Sequence, residues 1–169
     1  MLERLLIDEN VSKDENIASI LKLAKSICND LLKDKIECDL LTYKYDFEEP
    51  MNELGLEEEL ITHLLEDYIY QVFSSYKNFN SILQSIKKSD SSEIETHVSD
   101  LKNLAHKNLG VARNLRIYDA QFLLTELMSN NTDVDYLKNC VEALMACAFK
   151  LNPPYAYGVL KLRQIKEKF

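Results

Sequence analysis

Leu104-Ala105-His106-Lys107-Asn108-Leu109-Gly110-Val111-Ala112-Arg113-Asn114-Leu115 reads as a helix with a glycine in its middle. The chain holds only three glycines. In a helix interior glycine is disfavoured by roughly 1 kcal/mol relative to alanine. Residues four apart share a helix face, so Gly110 removes side-chain bulk directly beside His106. The pair reads as a histidine left accessible to another protein's active site.

With His106 at zero and about 100° per residue, Lys102, Gly110 and Arg113 fall within about 40° of the imidazole. Leu109 and Asn103 lie about 60° away, and Arg116 about 80°. Leu101, Leu104, Val111, Ala112 and Leu115 occupy the other side. The wheel therefore predicts an exposed His106 and an Asn108 turned toward the core, where a buried amide needs a hydrogen-bonding partner. From Leu101 to Tyr118 the sequence has four basic residues, Lys102, Lys107, Arg113 and Arg116, and no acidic one. Cations beside an imidazole favour a phosphoryl group and an acidic partner surface. Neutral imidazole is a nucleophile near pH 7 and can carry a phosphoryl group covalently.

The rest of the chain predicts helices on both sides. Ser12-Lys13-Asp14-Glu15 has capping-box form, and Ile17, Ile20, Leu21, Ala24, Ile27, Cys28 and Leu31 follow at helical spacing. This predicts a helix from about Lys13 to Lys33. Residues 34–56 give mixed signals, punctuated by Pro50 and Gly55, and read as a linker or irregular arm. Ile61, Leu64, Leu65, Tyr68, Ile69, Val72, Phe73 and Tyr76 form an apolar stripe that Phe79, Ile82, Leu83 and Ile86 continue, as one long helix or two. Lys87 to Ser92 is a turn, and Ser92-Glu93-Ile94-Glu95 is a second capping box opening the histidine helix. That helix is expected to end near Arg116 or Ile117. Another helix runs from about Asp119 to Ser129. A further one follows Thr132-Asp133-Val134-Asp135 and stops at Pro153 and Pro154. Tyr155 to Phe169 is a short basic helical tail.

Composition agrees with an all-helical chain of 169 residues, with three Gly, three Pro and no Trp. The formal net charge is −8 and the pI about 4.9, which argues against a nucleic-acid binder. No apolar run approaches the ~20 residues that span a bilayer, and the N-terminus lacks a signal peptide's pattern. A cytoplasmic protein is expected. Cys28, Cys38, Cys140 and Cys147 show no metal-binding spacing and read as reduced core residues. His63 and His97 read as boundary or core residues without a chemical role, and no metal site is expected.

Taken together, these residues resemble the histidine phosphotransfer (HPt) family. Its core has the form His-x-x-Lys-Gly, usually preceded by Ala and followed by small and apolar residues. Ala105 to Leu115 follows that pattern in register. The upstream helix, the turn at Lys88 to Ser92 and Leu124-Thr125-Glu126-Leu127 also match. The similarity covers about Gly55 to Leu151. It implies an antiparallel four-helix bundle over residues 55–152, preceded by an N-terminal helical extension and linker (1–54) and followed by a helical tail (153–169). It implies that His106 is phosphorylated and that Gly110 makes room for a receiver domain.

In this reading Lys102, Lys107 and Arg113 support the phosphoryl group. Asn103, Leu109, Gly110 and Arg116 dock the partner, a response-regulator receiver domain or a histidine kinase. The chain itself needs no cofactor, and Mg²⁺ belongs to the receiver. Two positions depart from the family: its lysine three residues after the histidine is Leu109, and its leucine two after is Asn108. A non-catalytic docking module on the same fold, or a helical protein that oligomerises through its N-terminal helix, are the alternatives. An independent hydrolase or transferase is disfavoured, because no nucleophile–base set, phosphate loop or metal motif is present.

Overall fold

The Ser12–Glu15 capping box closes as its sequence predicts. The Glu15 backbone N–H donates to Ser12 Oγ at 3.3 Å, and the Ser12 N–H donates to the Glu15 carboxylate at 3.1 Å. It starts α1 (Lys13–Leu32). In this computed structural model, which describes residues 5–32, 43–90 and 92–167, six more helices follow. These are α2 (Glu48–Leu54), α3 (Glu58–Lys88), α4 (Ile94–Asn114), α5 (Tyr118–Leu127), α6 (Val134–Leu151) and α7 (Pro153–Glu167). There is no strand among the described residues.

The apolar stripe from Ile61 to Ile86 lies on one uninterrupted helix, α3. Glu58 and Glu59 open it and Lys87 and Lys88 close it, so both ends complement the helix dipole. Asp133 caps α6 by accepting from the N–H groups of Asp135 and Tyr136, both at 3.1 Å. The two prolines that end α6 begin α7: Pro153 is its first residue, where a missing N–H is harmless. Asn152 Oδ1 accepts the Tyr155 N–H at 3.3 Å in the same turn.

Two sequence expectations are corrected. The Ser92–Glu95 box does not form, since α4 starts from Glu93 in a helical conformation with no side-chain cap. The stretch read as an irregular arm contains α2, closed by Gly55 at φ 65°. Residues 33–42, including Cys38 and the first part of that arm, lie outside the described residues.

α3 packs on α4 and α6, and α5 also packs on α4 and α6, so these four helices close a ring of contacts. α6 is the central element. Every residue from Cys140 to Phe149 is buried, as expected for a helix covered all round. α1 supplies part of that cover by laying Ile20, Ala24, Ile27 and Cys28 against α6. α7 packs on α3, α6 and α1. The N-terminal helix is therefore occupied within its own chain. Among the described residues no helix is long and apolar enough to cross a membrane.

Candidate functional site

α4 carries the site, and its two neighbours decide which side chains remain outside. α3 covers one flank. There Asn108 is fully buried and donates from Nδ2 to the Leu104 carbonyl at 2.9 Å, while Gln71 on α3 donates to Asn108 Oδ1 at 3.1 Å. The buried amide thus has the partners that its position demands. α5 covers the other flank, and just beyond it Asn130 Oδ1 accepts from Lys102 Nζ at 2.6 Å.

His106, Asn103, Lys107, Gly110 and Arg113 are all exposed along the strip between these flanks. Beyond its chain neighbours and its own helix backbone, a methyl group added at Gly110 would meet no atom of the described residues within 4 Å. Packing inside the protein therefore gives no reason for a glycine at this point of α4. Lys102, one turn before His106, is half-buried and already bonded to Asn130, so Lys107 and Arg113 are the more open cations on the strip.

Leu109 does not belong to this surface. It is only 2% exposed and joins the core. The wheel took the buried side as a single face opposite His106. With α3 on one flank and α5 on the other, the buried arc is wider and reaches Leu109. Position 109 thus points inward here, and an apolar residue suits it.

Arg116 is also more engaged than the sequence implied. It ends α4 in the left-handed region at φ 57°, as the Ile117 N–H reaches back to the Ala112 carbonyl at 2.9 Å. Its guanidinium donates from Nε to Glu53 at 2.6 Å, pairs through Nη2 with the same carboxylate, and lies 4.0 Å from Glu49. The Glu53 hydrogen bond holds the Arg116 guanidinium above its ordinary pKa. Tyr118 donates its hydroxyl to Glu49. Tyr43 and Tyr45 each donate a hydroxyl, at 2.9 Å, to the carbonyls of Arg116 and Leu115. Burial pushes the Tyr45 phenol up to about 12 and raises Tyr43 as well, so both remain donors. The acid-free stretch of sequence therefore meets two carboxylates in space, both from α2. Partner charge at this corner of α4 is supplied within the chain.

The other histidines stand apart. His97 is half-buried near the start of α4. His63, expected at the boundary or in the core, is exposed on α3 with its Nδ1 3.6 Å from the Glu66 carboxylate. Among the described residues no cluster of His, Cys, Asp or Glu could hold a metal ion. No family model, curated protein or solved structure matches this chain.

Proposed function

We propose that this chain is a histidine phosphotransfer protein and that His106 is its phosphoacceptor. The observation that carries this reading is Gly110: a helix-interior glycine one turn after an exposed histidine, facing open space in its own chain. The ring formed by α3, α4, α5 and α6 supports an HPt-type bundle, with α1 and α7 packed outside it. A receiver domain brings an aspartyl phosphate and its Mg²⁺. A neutral imidazole nitrogen of His106 attacks the phosphorus; the N–P bond forms as the acyl O–P bond breaks and the aspartate leaves as carboxylate. Lys107 and Arg113 lie on the same strip and balance charge on the phosphoryl oxygens, with Lys102 at its edge. Asn103 and Gly110 meet the partner directly. Arg116 holds the end of α4 in place through Glu53.

The test is transfer from a panel of phosphorylated receiver domains and histidine kinases of the source organism. The expected product is an acid-labile phosphohistidine on this chain that His106→Gln abolishes. If no member of the panel labels His106, the phosphotransfer reading fails. Binding that survives His106→Ala but is lost in Gly110→Glu would assign the chain to the non-catalytic docking class instead.

A further inference from the structure

Two thiols meet where α1 crosses α6. The sulfurs of Cys28 and Cys147 are 3.5 Å apart, although the residues are 119 positions apart in sequence. Both side chains line a cleft of about 680 Å³ whose walls also include Tyr43, Asp119 and Lys150. Lys150 lies three residues beyond Cys147 on α6, with its ammonium 3.5 Å from the Asp119 carboxylate. A thiol pair sealed in an apolar core is inert. This pair is buried, at 4% and 1% exposed, but it borders a cleft large enough for a small oxidant, with a cation close by.

The two sulfurs are not equivalent. The hydrogen bond with Cys147 pulls the Cys28 thiol below its ordinary range; burial opposes this, and the Lys150 ammonium reinforces it. The same hydrogen bond and its own burial push Cys147 up. Either thiol can donate to the other; a thiolate at Cys28 is held by the Cys147 S–H and by the Lys150 ammonium, against burial and the Asp119 carboxylate. A disulfide has an S–S length of about 2.05 Å, so the remaining gap of roughly 1.5 Å is within reach of side-chain rotation.

We propose that Cys28 and Cys147 form a redox couple that a hydroperoxide converts to an intramolecular disulfide, tying α1 to α6. Cys28 as thiolate attacks the terminal peroxide oxygen. An S–O bond forms, the O–O bond breaks, and the departing oxygen takes up a proton to leave as water or alcohol. The Cys147 sulfur then attacks the Cys28 sulfenic acid; the S–S bond forms, the S–O bond breaks, and water leaves with the thiol proton. Two thiols are oxidised by two electrons and one peroxide is reduced. The reaction needs neither His106 nor a partner domain, so it stands apart from the phosphotransfer reading.

The experiment uses the full chain with Cys38→Ser and Cys140→Ser, which leaves only the proposed pair, and hydrogen peroxide as the oxidant. The expected result is loss of both free thiols, an intact mass lighter by two hydrogens, and a cross-linked peptide joining Cys28 to Cys147. Dithiothreitol reverses all three changes. Closing so long a loop raises Tm by roughly 10 °C in the oxidised form. With Cys147→Ser added, dimedone traps a sulfenic acid at Cys28 and no disulfide forms. The unsubstituted chain, treated in the same way, gives the same cross-linked peptide. Thiols that resist excess peroxide in the folded protein while reacting in urea would overturn the proposal. So would a disulfide between two chains, or one that recruits Cys38 in the unsubstituted protein.

Discussion

Gln71 on α3 donates to Asn108 Oδ1 on α4 at 3.1 Å, fastening the inner side of the histidine helix to its neighbour. Asn108 is fully buried, and Ser75 Oγ, which lies 3.5 Å from its Nδ2, already donates to the Gln71 carbonyl at 2.8 Å. Replacing Asn108 with Leu therefore strands no buried group: Ser75 keeps its acceptor, and half-buried Gln71 can turn to water. Asn108→Leu should be neutral or stabilising by up to about 1 kcal/mol in urea denaturation. Asn108→Asp puts a carboxylate in the same place and should destabilise by about 3 kcal/mol at pH 7. That deficit should shrink toward pH 4, as the buried carboxyl takes a proton. Equal losses for Leu and Asp would show that shape, and not hydrogen bonding, fixes this contact.

Acid should loosen α1 through one side chain. Glu15 accepts from the Ser12 hydroxyl at 2.7 Å, and this bond, with the Ser12 backbone N–H, lowers its pKa from 4.5. A carboxylate with a depressed folded-state pKa adds stability that is fully present above its unfolded value. The contribution is lost as pH falls through the folded value. Glu15→Gln should lower Tm at pH 7, and the gap between the two proteins should close on acidification below 4.5. A gap that stays constant to pH 3 would mean that the charge of Glu15 contributes nothing at this cap.

The parts legible in the sequence were those governed by neighbours a few residues away. The Ser12–Glu15 box, the stripe on α3 and the proline boundary at Pro153 are local patterns, and each marks a helix edge or face. The exposure of His106 follows from the helical period alone. Leu109 was misplaced because a wheel gives angles and not the number of helices packed around them. The Arg116–Glu53 pair joins residues 63 positions apart, and α2 is only seven residues long. Its cue was Pro50 near the start and Gly55 at the end, the asymmetry of a short helix, which reads equally well as loop punctuation. The meeting of Cys28 and Cys147 depends on how α1 crosses α6, and no spacing in the chain encodes it.

Arg116 occupies a position that normally selects glycine. Its φ of 57° is left-handed, and the helix-ending bonds from Arg116 and Ile117 back to Arg113 and Ala112 depend on it. Arg116→Gly relieves the backbone and loses the exposed pairing with Glu53, two effects of opposite sign, so Tm should stay close to that of the parent. Arg116→Val loses the pairing and also forces a β-branched residue into the same conformation. Its Tm should fall roughly 4 °C below that of Arg116→Gly. If the two variants melt together, backbone conformation does not limit this turn.

Under the phosphotransfer reading, Gly110 separates stability from function. A Cβ there meets nothing in the chain, so Gly110→Ala should stabilise the protein by about 0.5–1 kcal/mol through helix propensity. Gly158 in α7 is equally open and serves as the control, with Gly158→Ala giving a similar gain. The two should differ in phosphotransfer. Gly110→Glu keeps a good helix former on an exposed site, so the fold should persist, while its bulk and charge stand one turn from His106. Labelling by a cognate receiver should fall by at least tenfold in Gly110→Glu and remain unchanged in Gly158→Ala. Full labelling of Gly110→Glu would mean that the open backbone beside His106 is not where a partner sits.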